Sequence, residues 1–294
     1  MQKNDPKSLL MLVLSMVIFG SIGIFRRFIP LPSAALACFR GICGSAVLFV
    51  AAKMRKRKIR NGIGKKKILG LALTGALIGL NWLLLFEAYR YTTVATATLC
   101  YYMQPTIVIL ASLFVFGEKL TRVKGLCVTL SLVGMALVSG IVENGVPPLT
   151  ELKGILCGLG AAALYAAVVI MNKKLPGVDA YEKTVIQLLA AAGVLVPYLL
   201  INPEPLPAAL TVTEGLMLLI VGVVHTGLAY ALYFGSMDGV RAQTVAIVSY
   251  LDPIVALFLS ALILREGLTL WGVAGAVMIL GAAFLSALDW RKTA

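Results

Sequence analysis

Long apolar runs recur ten times along the 294 residues, each closed by a few polar, proline- or glycine-bearing positions. The runs are Ser8–Phe25, Ser33–Ala52, Ile68–Tyr89, Thr93–Phe116, Val123–Ile141, Glu151–Asn172, Tyr181–Ile201, Thr211–Phe234, Gln243–Leu264 and Thr269–Leu288. A bilayer core about 30 Å thick takes about 20 residues of helix at about 1.5 Å each, so every run has spanning length. Stretches such as "ENGVPPLTE" and "INPEPLP" mark the breaks, because proline and glycine end helices and polar turns sit in water. The connections are too short to hold a soluble domain. The pattern predicts an all-α integral membrane protein with ten transmembrane helices.

Inside the runs the polar positions are not scattered. "YYMQPTIVILASLFVFGEKLT" (Tyr101–Thr121) and "SYLDPIVALFLSALILREGLT" (Ser249–Thr269) align under a shift of 148 residues. The shift places Tyr102 on Tyr250, Pro105 on Pro253, Ser112 on Ser260, Glu118 on Glu266 and Thr121 on Thr269, with Gln104 meeting Asp252. A one-residue gap then brings Gly125 onto Gly272 and Gly134 onto Gly281. The repeat unit is five runs. An odd number sends the second copy in from the opposite side, so the chain reads as two inverted five-helix repeats, residues 1–145 and 146–294. Lysine and arginine set the orientation: with the N-terminus inside, 20 basic residues fall on inner segments and 5 on outer ones. Both termini are then cytoplasmic.

Composition sharpens this reading. Hydrophobic residues make up 60% of the chain, charged residues 13%, and the mean hydropathy is +0.95. A soluble domain carries about twice that charged share. The net charge of +13 would suggest nucleic acid in a soluble protein. Here it follows membrane topology, and no nucleic-acid partner is expected. The block "KMRKRKIRNGIGKKK" (Lys53–Lys67) suits anionic headgroups. The five cysteines, Cys38, Cys43, Cys100, Cys127 and Cys157, all lie in apolar runs without a Cys-x-x-Cys pair, which reads as neither disulfide nor metal site. The first run lacks a convincing cleavage site and is read as an uncleaved span.

These features resemble the drug/metabolite transporter superfamily, specifically its ten-span EamA-type members. The resemblance rests on the prolines of runs 4 and 9, on "GEKLT" (Gly117–Thr121) and "REGLT" (Arg265–Thr269), and on "EAYRYTTVATA" (Glu87–Ala97). It covers nearly the whole chain. Two departures are Phe19-Gly20, where many members have Trp-Gly, and Arg265 in place of glycine. The resemblance implies a monomeric 5+5 bundle in a bacterial-type inner or cell membrane. It also implies a central cavity between spans 1, 3, 4, 6, 8 and 9, and export or exchange by alternating access.

Asp252 stands near the middle of run 9, where an acid costs about 2.5–3.5 kcal/mol on insertion scales. It should therefore face a polar cavity or be protonated, as a neutral acid that stabilises the kink would be. Pro253 and Pro105 each free a backbone carbonyl, which a membrane tolerates beside a cavity. Thr93, Ala97, Tyr101 and Gln104 recur at helical spacing, as do Ser249, Asp252, Ala256 and Ser260. The candidate cavity set is thus Gln104, Asp252, Tyr101, Thr93, Ser249, Tyr250, Trp82, Tyr165 and Tyr230, with Tyr102 and Tyr233 as further aromatic surface. Small and polar helix faces also serve simple packing. His225, the only histidine, joins Asp252 and Glu87 as a coupling candidate, although Glu87 can equally pair with Arg90. Glu118 and Glu266, with Pro105 and Pro253, are gate or hinge candidates, or plain helix-end turns. Arg40 could bind a carboxylate or phosphate, but it is read as a structural charge, because span 2 is expected at the periphery.

The leading function is secondary transport of a small organic metabolite, an amino acid or a cationic, amphipathic compound. It would be an exporter or exchanger, with proton coupling through Asp252 or His225. The alternative is a passive channel or scramblase. No Walker A loop, His-Glu-x-x-His or Gly-x-Ser-x-Gly motif is present, so neither ATP-driven transport nor an enzyme is expected, and no cofactor.

Overall fold

The computed structural model describes residues 5–54, 63–117, 119–237, 239–240, 244–245 and 248–289. Glu118, residues 55–62 of the basic block and Gln243 lie outside the described residues. The described chain forms α1 (Pro6–Arg27), α2 (Ser33–Met54), α3 (Lys65–Tyr91), α4 (Val94–Tyr101), α5 (Gln104–Val115) and α6 (Arg122–Val138). A four-residue turn, α7 (Ile141–Asn144), leads into α8 (Leu149–Lys173) and α9 (Ala180–Ile201). Then come α10 (Val212–Ser236), α11 (Leu251–Ile263) and α12 (Leu270–Asp289).

The polar residues that punctuate the runs act as helix caps. Asp5 accepts from the Ser8 amide at 2.9 Å, and its bonds to Ser8 hold its carboxyl below the usual carboxylate range. Thr93, Thr121 and Asp179 cap α4, α6 and α9 in the same manner. Thr211 and Glu214 form a reciprocal capping box on α10. Each such cap contributes about 1 kcal/mol.

Seven helical segments are long and apolar enough to cross a membrane: α1, α2, α3, α4 with α5, α8, α9 and α10. The apolar helices α11 and α12 are shorter. Run 4 is not one straight helix. The chain leaves helical geometry at Tyr102 and Met103 and resumes at Gln104, because Pro105 has no N–H to offer the carbonyl one turn back. The ladder is bridged by the Met103 amide donating to the Cys100 carbonyl at 3.1 Å. Run 9 breaks likewise at Ser249 and Tyr250, just before Asp252 and Pro253.

Packing is pairwise equivalent between the first five runs and the second five. α1 lies on α11 as α8 lies on α4 and α5; α3 packs on α9 as α10 packs on α2; α1 meets α10 as α8 meets α3. The pairs α2–α9 and α6–α12 map onto themselves. Glycines set the close approaches. A Cβ on Gly79 of α3 would sit 2.6 Å from the Ala191 carbonyl of α9, and one on Gly222 of α10 would sit 2.9 Å from Cys43 Cβ of α2. Small residues of this kind let membrane helices pack backbone to backbone.

α10 differs from α3 in one respect. Its stretch Ile220–Leu228 is π-helical, with the Thr226 hydroxyl donating to the Val221 carbonyl five residues back at 3.0 Å. The packing glycines of α3, Gly75 and Gly79, are four apart, whereas those of α10, Gly222 and Gly227, are five apart. The wider turn accommodates one extra residue while both glycines still face the neighbouring helix.

Candidate functional site

Where the two broken helices meet the bundle centre lies a cavity of about 400 Å³. α1, α3, α4, α5, α8, α10 and α11 wall it, with one residue from α2. Gln104 is the first residue of α5 and Asp252 the second of α11. Both half-helices therefore present their N-termini, the positive ends of their dipoles, to the same space. Tyr102 and Asp252 line this same space. A Cβ added to Gly20 of α1 would collide with the Asp252 carbonyl oxygen, so α1 presses directly on the second break.

Eight residues of the sequence-derived cavity set line this space: Gln104, Asp252, Tyr101, Ser249, Tyr250, Trp82, Tyr165 and Tyr230. Pro105 lines it as well, and Pro253 is buried beside Asp252. Two groups of touching aromatic rings contribute to the wall. Tyr101 meets Tyr165 at 5.7 Å and Tyr102 at 6.1 Å between ring centroids, and Phe19 meets Tyr230 at 5.1 Å.

Thr93 does not join the cavity. Its hydroxyl accepts from the Thr96 amide at 3.0 Å and caps α4. The helical spacing that linked it to Gln104 is interrupted by the break. His225 is buried behind the wall, with Nε2 2.9 Å from Ser21 Oγ and Nδ1 3.3 Å from the Ile220 carbonyl. Glu87 accepts from Arg90 at 2.8 Å near the end of α3, the ion pair that the three-residue spacing allows.

Glu266 forms a cluster at the far end of α11. Its carboxylate accepts from Arg27 at 2.7 Å, from the Val94 amide at 2.8 Å and from the Ser260 hydroxyl at 2.6 Å. One side chain thus ties together the end of α1, the start of α4 and the end of α11.

Arg40 lies closer to the cavity than its place on a peripheral span suggested. Although α2 packs outside the cavity ring, the long Arg40 side chain reaches inward and lines the cavity. Its guanidinium stacks 3.9 Å from the centre of the Trp82 ring, a desolvated cation–π contact of about 2 kcal/mol. Its Nε donates to the Thr226 hydroxyl at 3.1 Å, which the π-turn of α10 places there. Tyr89 and Tyr230 stand within electrostatic range of both Arg40 and Asp252. Tyr89 and Thr98 also line the cavity and were not singled out from sequence; Phe19 and Gly20, noted there only as a departure from the family pattern, line it too. Trp82, Leu85 and Tyr89 recur at helical spacing in α3, a signal that periodicity could have supplied.

A family model described as the EamA-like transporter family matches residues 6–140 and 152–288 of this chain. An uncharacterized transporter, YxxF, of Bacillus subtilis (strain 168) is 29% identical over 97% of this chain and 90% of its own length. An uncharacterized transporter of Archaeoglobus fulgidus is 27% identical over 96% of this chain and 95% of its own. Protein PecM of Dickeya dadantii (strain 3937) is 26% identical over 73% of this chain and 72% of its own. One solved structure, described only as crystal structure of protein, superposes with a TM-score of 0.64 at 20% identity. It covers 97% of this chain and 98% of that one, so the two share a fold.

Proposed function

Because the chain belongs to the EamA-like transporter family, we propose that it is a secondary transporter of a small organic metabolite, an exporter or exchanger working by alternating access. An amino acid or a cationic, amphipathic compound is the favoured cargo. The proposal includes ten spans as two inverted repeats, cytoplasmic termini, a monomer in the cell membrane, and proton coupling at Asp252. The observation that carries it is the cavity of about 400 Å³ set between two helices broken at pseudo-equivalent prolines. Discontinuous helices with half-helix ends at a central site are the usual construction of carriers that expose one site alternately to two faces. Asp252 supports coupling better than His225 or Glu87, since it alone of the three lines that space. Glu266 supports a gate, because its partners lie on elements from both halves.

Reconstituted protein in liposomes should exchange one compound class in counterflow with saturation. Pools of amino acids, organic cations, nucleosides and sugars should be tested with and without a pH gradient. Flux linear in concentration, with no counterflow, would replace the carrier with a channel.

A further inference from the structure

We propose that Arg40 is the anchor for a carboxylate on the transported compound, which narrows the substrate class to carboxylate-bearing metabolites such as amino acids. The inference rests on reading the central cavity as the substrate site.

The argument starts from donors. A guanidinium carries five N–H donors in a planar fork and cannot be deprotonated to escape burial. Arg40 is 4% exposed, yet only Nε has a hydrogen-bond partner among the described residues, the Thr226 hydroxyl. Its Nη atoms have none there, and the side chain lines the cavity. Among the described residues no carboxylate pairs with it; Asp252 lines the same cavity without reaching it.

Arg26 shows what a purely structural arginine does in this same bundle. It is equally buried, at 6% exposed, but Nη1 donates to the Ile29 carbonyl at 2.8 Å and Nη2 to the Ser33 hydroxyl at 3.2 Å. There the protein holds both Nη atoms and leaves only the buried Nε without a partner among the described residues. At Arg40 the protein fixes the side chain from two other directions and leaves the fork open. Trp82 covers one face of the plane, and Thr226 holds the Nε edge.

Shape and charge then select the acceptor. Two parallel donors match the two oxygens of a carboxylate. Among the described residues Arg40 is the only lysine or arginine in the cavity wall, so it balances a single negative charge there. A phosphate dianion would be left in excess beside Asp252. Sugars, nucleosides and simple cations offer the fork nothing of matching charge.

The test uses Trp82 as its own reporter. The chain has three tryptophans, and Trp271→Phe with Trp290→Phe leaves Trp82 alone beneath the guanidinium. The probes are two series in detergent-solubilised full-length protein. One is L-leucine, L-leucinamide and 4-methylpentanoate; the other is L-phenylalanine, L-phenylalaninamide and 3-phenylpropanoate. We expect the carboxylate members of at least one series to shift Trp82 emission saturably, and the amide to bind at least about tenfold more weakly. Arg40→Gln should weaken the carboxylate members about 100-fold and leave the amide unchanged, with Arg40→Lys in between. Should Arg40→Gln fail to elute as a folded monomer, Thr226→Val provides the second variant. It loosens the guanidinium's orientation and should weaken carboxylates several-fold more than amides.

Equal losses for acid and amide would reduce Arg40 to a packing residue, and silence from every probe would overturn the assignment too. The two proposals fail separately. Saturable counterflow of a compound without a carboxylate removes the anchor and keeps the carrier. An Arg40-dependent emission shift without counterflow does the reverse.

Discussion

The two helix breaks are built alike and charged differently. At the first, Tyr102 and Met103 interrupt the ladder and α5 restarts on Gln104-Pro105. At the second, Ser249 and Tyr250 interrupt it and α11 restarts on Leu251-Asp252-Pro253. Both open into the same cavity. The scaffold has therefore kept the feature that frees backbone and places a helix dipole at the site. It has not kept the ionisable group, which only the second half carries. On the proposed reading, symmetry would serve the motion of a carrier, and the departure from symmetry would mark where its chemistry sits.

The largest effect is expected where that departure is erased. Asp252→Asn makes the two breaks equally neutral, and accumulation driven by a pH gradient should fall to background while counterflow continues. Moving the acid across, with Gln104→Asp added to Asp252→Asn, should restore part of the gradient response if a carboxyl at either break suffices. Both are measured in the same liposomes. Joint loss of gradient-driven flux and counterflow in Asp252→Asn would assign the acid to binding or folding, and the comparison would then concern affinity.

A middle-sized effect concerns the far ends of the same helices. Glu266 holds Arg27, the α4 N-terminus and Ser260 together, with side chains 31% and 16% exposed across the ion pair. Solvent screening reduces the worth of such a pair, so Glu266→Gln should cost about 1.5 kcal/mol of this closed arrangement. That is about tenfold in population. The measurement is maleimide labelling of a cysteine placed at Tyr250, with reagent added on the side that carries the α4 N-terminus. Unchanged labelling would make the cluster a helix-end turn with no gating role.

Legibility from sequence followed the length of the signal. Apolar runs of about 20 residues have one good solution in a bilayer, so the helices appeared where the polarity pattern ended and its polar punctuation became caps. The proline positions were legible too, because a missing N–H is a local property. The breaks they cause were not, since whether a helix bends or restarts depends on what neighbouring chain accepts the freed groups. That Arg40 lines the cavity was not legible for a similar reason. Its helix is outside the cavity ring, and only the close α2–α10 packing and the π-turn at Thr226 show that its long side chain reaches past Trp82. Thr93 failed in the opposite direction: one helical period was extended through a cap, where periodicity ends.

The smallest effect lies in the turns that follow the two half-helices. Gly117 has φ 64° and Arg265 has φ 55°, so both halves end α5 and α11 on a left-handed residue, the helix-closing position that favours glycine. In the second half the Glu266 amide also closes back on the Ser260 carbonyl at 3.2 Å. A long L side chain held there costs about 1–2 kcal/mol, whereas glycine gives back about 0.5–1 kcal/mol through the greater freedom of the unfolded chain. Arg265→Gly should thus stabilise by about 0.5–1 kcal/mol, raising the melting temperature by about 2 °C. Gly117→Ala, which brings a Cβ into the same conformation, should lower it by a similar amount. Thermal unfolding of the two variants in detergent measures both shifts, and shifts of the same sign would show that the two turns are not equivalent. Opposite shifts would mean that the second half tolerates strain beside Glu266 that the first half avoids, placing the asymmetry of the molecule at its rim as well as at its centre.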